Sequence, residues 1–478
     1  MSGVPVVVVG AGPVGLTAAL LLARHGVAVL LLERYPSPYP MPRAVHLDDE
    51  VFRVLQAAGV AEEVAAVSRP MAGLRLLDGG HRVLASFERA PGPGSNGWPT
   101  GVLLHQPDLE AALTSAAARS PSVTLQRGAE VVDLVQDDDG VTLTVVDDGV
   151  RRSVRASAVL GCDGANSTVR SLIGSGLREL GPADRWLVLD VRSAGPLPMW
   201  GGVHQVCDPG RASTFLHVTG DRYRWEFRMA PGETAADLTE PGRLSRLLAP
   251  VELNGLEIVR AAEYTFRASV ASGWRCGRVL LAGDAAHLTP PFVGQGLGLG
   301  LRDVHQLTWK LADVLSGAPD SLLDTYQVER EPHARALIRV ALLLGRLMTG
   351  GGRGAAVVRR AVLAVARRMP AVARLATDSR TPPLRRGPQV ERRGGAGRLA
   401  GTLVPQPEVL VDGRFCRLDD VLGSGAAELR LDAGGLVVSA HGREIPVEDP
   451  SGVLSAWLHA AGATSVRIRP DRIVRSAS

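Results

Sequence analysis

The apolar, β-branched run from Val4 to Val9 leads directly into Gly10-Ala11-Gly12-Pro13-Val14-Gly15. The run reads as a buried parallel strand. Leu16 to His25 reads as a helix stopped at Gly26, and Ala28 to Leu32 as a second strand delivering Glu33 and Arg34. Gly10 permits the tight turn, Gly12 lets backbone approach a pyrophosphate, and Gly15 lets helix and strand pack closely. The helix start, with Pro13 and Val14, offers unpaired N–H groups and partial positive charge to a phosphate. Glu33, eighteen residues beyond Gly15, is placed to accept from a ribose hydroxyl. The plainer alternative is an ordinary strand–turn–helix. Strand, helix and acid in the right order favour a dinucleotide site.

The 478 residues leave room for two or three domains. A net charge of +4 is no nucleic-acid signature, and the positive excess lies mainly between Arg339 and Arg398, where Asp378 and Glu391 are the only acids. That stretch reads as solvated helix faces and linker rather than a polyanion site. Cys162, Cys207, Cys276 and Cys416 are widely spaced without a C-x-x-C, which argues against zinc, a redox dithiol or a disulfide framework and fits a reducing cytoplasm. Glycines and Pro13 interrupt the apolar N-terminus, and Ala355 to Ala366 is too short to span a bilayer, so no membrane segment is expected.

Tyr35 to Pro42 is a proline-rich loop. Helices are expected over Glu50 to Ala58 and from Gln106 to about Arg119, and strands over Val123 to Arg127, Glu130 to Gln136, Val141 to Val146 and Ser157 to Gly161. From Arg185 to Pro231 the pattern alternates: Tyr223, Trp225 and Phe227 share one strand face, while Arg222, Arg224, Glu226 and Arg228 share the other. Six of the chain's nineteen aromatic residues fall between Trp186 and Phe227, so an antiparallel sheet offers either an aromatic ligand face or the core of a small domain.

Two further fragments complete a pattern. Asp163-Gly164 ends a buried strand, with Ser167 and Arg170 opening a helix. Gly283-Asp284 ends the strand-like Gly277 to Ala282, and Gly294-Gln295-Gly296-Leu297-Gly298 precedes a helix from about Leu299 to Leu315. Asp284 can accept from a second ribose-type hydroxyl, while Gly294, Gly296 and Gly298 admit a flat ligand near backbone. The helix behind them can support negative charge on a reduced flavin ring. Arg43 and Gln106 are polar groups entering the same neighbourhood, read as phosphate or ribose contacts. No second G-x-G-x-x-G follows a strand, so a nicotinamide nucleotide has no Rossmann domain of its own.

These motifs resemble the group A flavoprotein aromatic hydroxylases of the p-hydroxybenzoate hydroxylase fold, and within them the 3-(3-hydroxyphenyl)propionate hydroxylase type. The subgroup likeness rests on Pro42-Arg43-Ala44-Val45, Cys207-Asp208-Pro209, Arg224-Trp225-Glu226-Phe227, Pro290-Pro291-Phe292, Trp309-Lys310-Leu311 and Arg469-Pro470-Asp471. Gln306 and Leu297 stand where relatives often carry Asn and Met.

The resemblance implies an α/β fold: a Rossmann-like FAD domain (1–72, 100–180 and 270–345), an inserted antiparallel-sheet substrate domain (73–99 and 181–269), an Arg-rich helical connector (346–400) and a short thioredoxin-like unit (401–478) without redox cysteines. It implies that NADH or NADPH reduces FAD, that O2 adds as a C4a-hydroperoxide, and that a small phenolic or polyketide-like ring is hydroxylated. Epoxidation, Baeyer–Villiger-type insertion and non-catalytic flavin or ligand binding are the alternatives. Candidate groups near the reacting ring are His46, His287 and Pro291. Trp186, Tyr223, Trp225 and Phe292 are candidate substrate contacts; a homodimer is one possible assembly.

Overall fold

The computed structural model describes residues 4–38, 43–249, 251, 253–350, 382–385, 387–392 and 394–478. The end of the proline-rich loop (39–42), most of the expected connector and the run 355–366 lie outside the described residues.

Val6–Val9, wholly buried, lies between Val29–Glu33 and Ala158–Gly161 in a six-stranded sheet. Val123–Arg127 closes one edge, and Val279–Leu281 with the short antiparallel Arg275–Cys276 closes the other. The remaining pairings are parallel, as expected for strands whose side chains are apolar on both faces. The sheet therefore gathers the carboxyl ends of strands drawn from residues 6, 158 and 279 onward, which bear Gly10, Asp163 and Asp284 respectively. Helix Pro13–Arg24 packs on helix Gly296–Leu315 through Val14, whose methyls would lie 2.7 Å from a Cβ on Gly300 and 3.1 Å from one on Gly283.

A seven-stranded sheet, in the order Leu256–Phe266, Asp184–Ser193, Arg222–Arg228, Ser213–His217, Val203–Val206, Gly73–Leu77, Val83–Glu88, forms the inserted layer. Its outer face carries Leu187, Leu189, Val191, Tyr223, Trp225 and Phe227, packed under Leu238, Leu244 and Leu248 of two short helices.

The C-terminal unit holds a five-stranded antiparallel sheet, a hairpin (Glu408–Val411 with Arg414–Arg417) and helices Leu418–Leu422 and Val453–Ala461. It docks through buried charge. Arg53, on helix Asp49–Ala58, donates twice to Asp419 at 2.6 and 2.7 Å and also reaches the Val404 carbonyl. Arg472 adds a second guanidinium at 3.1 Å. Burial pushes the Asp419 carboxyl up, but Arg53 and Arg472 outweigh it and hold the group at about 2. Among the described residues no helix is long and apolar enough to cross a membrane.

Candidate flavin site

The glycines of the first turn do different jobs. Gly10 has φ +100°, and a Cβ there would stand 2.6 Å from the Cys162 carbonyl oxygen. A Cβ on Gly15 would lie 1.9 Å from the Gly10 oxygen. Both are glycine because the chain itself leaves no room. At Gly12 a Cβ would meet no protein atom within 4 Å. The space beside Gly12 is open, and it lies at the start of helix Pro13–Arg24, which has no side-chain cap and no acid in its first turn. Free N–H groups and a positive helix end beside an open space fit a pyrophosphate.

Glu33 accepts from Ala11 N at 2.8 Å and Tyr35 N at 2.9 Å, one bond per oxygen, so each oxygen keeps a lone pair for a ribose hydroxyl. Arg34 is exposed, with its guanidinium 4.8 Å from the Tyr35 ring centroid.

Asp163 works inward. Its oxygens accept from Ser167 Oγ at 2.5 Å and Val169 N at 3.0 Å, and Ser167 Oγ in turn accepts from Arg170 N. The carboxylate thus secures the start of helix Thr168–Leu172, and its backbone forms the floor beneath Gly10.

Asp284 is the contrast. It sits half-buried in the turn Gly283–Ala285, and among the described residues no hydrogen bond or ion pair reaches its carboxylate. Burial raises its pKa, opposed mainly by the Arg43 charge. A carboxylate held part-way out of water without a partner is an acceptor waiting for ligand hydroxyls.

His287 does not face this space. Its side chain is fully enclosed, and Nε2 donates to Asp303 Oδ2 at 2.6 Å. Asp303 also accepts from Gly283 N at 3.2 Å and Arg330 Nε at 2.9 Å, so this cluster orients the Gly283–Asp284 turn. Sequence proximity to Asp284 suggested a catalytic histidine; the ring has Nε2 engaged by Asp303, while its buried Nδ1 meets no hydrogen-bond partner among the described residues.

The loop after Pro290 is pinned from below. Gln295 Nε2 and Arg302 Nη2 both donate to buried Asp48, at 2.8 and 2.7 Å. Gly294 adopts φ +62° against His46, whose Nδ1 lies 3.4 Å from the Gly294 carbonyl. Burial and the Arg89 charge push His46 down to about 4, so its ring is neutral at physiological pH and a poor base. Gly296 opens helix Gly296–Leu315, again uncapped by any side chain, with Leu297 half-buried beside it and Pro291 half-buried at the loop. Gly298 is not a ligand surface: a Cβ there would meet Arg302 Nη1 at 2.8 Å.

Gln106 Oε1 accepts from Arg43 N and Ala44 N, at 2.9 and 2.8 Å, and Nε2 donates to Glu110. Its carbonyl therefore shapes the Arg43 loop, and only one amide N–H is left for a ligand. From the other side Arg224 Nη1 donates to the Arg43 carbonyl at 2.8 Å.

The aromatic face points away from all of this. Strand register sets Phe227, Trp225 and Tyr223 opposite Leu187, Leu189 and Val191, all in the outer core. Tyr223 and Trp225 are core residues, and the Tyr223 hydroxyl accepts from Leu197 N. The face turned to the flavin-type domain is the charged one: Arg224, Glu226 and Asp190, with Trp186. Trp186 lies edge-on to Phe292 at 5.7 Å, and Gln205 Nε2 donates to the Phe292 carbonyl at 3.1 Å. Gln205, Glu226 and Asp303 were not singled out from sequence as lying beside these loops; for Glu226 alone the charged–aromatic alternation of strand Arg222–Arg228 already marked two unlike faces. A separate surface groove lined by Arg275, Asp320, Asp324, Glu331 and Arg335 holds none of the candidate residues.

An uncapped helix pair, the void at Gly12 and the unpartnered Asp284 meet around Val14, and together they define a flavoprotein dinucleotide site. Residues 3–341 match the family described as FAD binding domain, and the chain belongs to that family. It is 35% identical over 497 residues to a Rhodococcus jostii protein named "Probable NADH-specific resorcinol 4-hydroxylase", covering 98% of this chain and 91% of that one. It is likewise 35% identical over 510 residues to a Burkholderia vietnamiensis 3-(3-hydroxy-phenyl)propionate/3-hydroxycinnamic acid hydroxylase, covering 98% and 92%. The solved ternary complex of aklavinone-11 hydroxylase with FAD and aklavinone superposes with a TM-score of 0.77 at 25% identity, over 100% of this chain and 96% of that one.

Proposed function

We propose that the chain is an FAD-dependent, NAD(P)H-consuming monooxygenase that inserts one oxygen atom of O2 into a small phenolic or related aromatic ring. The observation that carries the reading is the juxtaposition of Gly12, Asp284 and two free helix starts with a second, polar sheet face that closes over the Pro290–Leu297 loop. Bound FAD would supply the electron relay and oxygen activation. The residues supply the rest. Gly12 and the helix at Pro13 hold the pyrophosphate, and Glu33 and Asp284 accept from the two sugar-type hydroxyl sets. The helix at Gly296 supports negative charge on the ring system. Asp48, Gln295 and Arg302 keep the Pro290–Leu297 loop in place, and the sheet face bearing Trp186, Gln205 and Glu226 receives the substrate and excludes water.

In this reading the six-stranded sheet and its helices form the flavin domain, the seven-stranded sheet the substrate domain, and residues beyond about 401 a docked accessory unit. Free thiols at all four cysteines suit work in the cytoplasm. The test is oxidation of NADH and NADPH by purified protein across a panel of phenols, with product mass read after incubation in labelled O2. Phenol-stimulated oxidation with one labelled atom in the product supports the assignment. Stimulated oxidation with no labelled product contradicts it.

A further inference from the structure

Glu226 occupies a place that neither flavin binding nor folding accounts for. Cross-strand register puts Val188, Glu226, Thr214 and Gln205 in one row across the sheet, and Asp190, Arg224, Leu216 and Val203 in the next. Gln205 is tied to the Phe292 carbonyl at one end of its row, and Arg224 to the Arg43 carbonyl in the neighbouring row. Glu226 therefore stands between the two loops that flank the flavin site, on the face turned toward them.

Its neighbours leave it under-satisfied. Asp190 takes the short bonds from Arg224 (2.7 Å) and Arg260 (3.1 Å), whereas Glu226 lies 3.9 Å from Arg224 and receives no hydrogen bond among the described residues. Its side chain is only 13% exposed. Diagonally adjacent on the same face, Trp186 Nε1 is buried with no hydrogen-bond partner, beneath Phe292. Among the described residues the Glu226 carboxylate keeps acceptor capacity to spare, and diagonally across the strand pair the buried Trp186 N–H is an unmet donor, so a polar ligand against this face can complete the bonding of both.

We propose that Glu226 contacts the hydroxyl of the aromatic substrate and takes its proton during hydroxylation, with the Trp186 N–H donating to a substrate oxygen. The inference rests on the monooxygenase reading. The substrate O–H bond breaks, its electron pair stays on the oxygen, and the proton bonds to a Glu226 carboxylate oxygen. The resulting phenolate is a more electron-rich ring for oxygen insertion, and the carboxylic acid returns the proton to the hydroxylated product. Burial raises the Glu226 pKa, and Asp190 raises it further, against the lowering charges of Arg224 and Arg260; Arg43 is the charged residue on the facing loop. The carboxylate is thereby a stronger base than one in water.

The test compares wild type, Glu226→Gln and Glu226→Asp, first for FAD content as a control on folding and then for phenol hydroxylation from pH 5 to 9. Glu226→Gln is expected to keep its FAD, lose about 100-fold in kcat, and lose the acidic limb of the wild-type pH profile. Glu226→Asp should restore part of the rate together with that limb. A Glu226→Gln enzyme with the wild-type profile and kcat within about twofold overturns the assignment of Glu226 alone. A wild type inert toward every phenol overturns it together with the functional reading.

Discussion

The guanidinium of Arg224 donates to the backbone carbonyl of Arg43 at 2.8 Å, joining a strand of the inserted sheet to the loop beside Asp284. The same guanidinium is paired with Asp190, so its position is fixed from two sides. Arg224→Lys keeps one charge but cannot span both partners. The account predicts a folded protein whose FAD and substrate dissociation constants each rise about tenfold, roughly 1.4 kcal/mol, by fluorescence titration.

The glycine fingerprint separates packing from binding. Gly15→Ala places a methyl into the Gly10 carbonyl, so it is expected to lower the melting temperature of the flavin-free protein or to prevent soluble expression. Gly12→Ala meets no protein atom. Its flavin-free form should melt as wild type does, while FAD affinity falls about 100-fold, on the order of 3 kcal/mol.

Asp284 costs the flavin-free protein stability because its charge is desolvated without a partner. With a raised folded pKa, its contribution is favourable below the ordinary carboxylate value and is lost as pH rises through the folded one. Asp284→Asn should therefore raise the flavin-free melting temperature at pH 7 to 8, show no gain near pH 3, and weaken FAD binding about tenfold.

Asp419 and Asp49 respond to pH in opposite senses. Asp419, held at about 2, stabilises the docked C-terminal unit above the ordinary value of 3.8, and that contribution is lost as pH falls through about 2. Asp419→Asn should lower stability at pH 7 by about 3 kcal/mol, with the difference closing in acid. Asp49 is pushed up to about 7 by burial and by Asp48, so its contribution is lost as pH rises through 7. Asp49→Asn should stabilise at pH 8 and do nothing at pH 3, both read by pH-resolved thermal melts.

The flavin motifs were legible because they are backbone requirements: Gly10 and Gly15 are forced by atoms a few residues or one strand away. Helix Gln106–Arg119 and strand Val123–Arg127 were equally plain from periodicity and their bounding residues. The roles of the two faces of strand Arg222–Arg228 were not. Alternation separates Tyr223, Trp225 and Phe227 from Arg224 and Glu226, but which set meets the flavin domain depends on helices Ala235–Thr239 and Pro241–Leu248 covering the aromatic side. The surroundings of His287 were hidden for a similar reason. Its separation from Asp284 is small in sequence, yet Asp303 and Arg330, supplied by two distant helical segments, draw it into the interior.

Flavin content is the most direct measure of the central claim. Protein expressed with ample riboflavin, purified and then denatured, is predicted to release one FAD per chain. A colourless preparation that releases no flavin and takes up none on reconstitution would contradict the account.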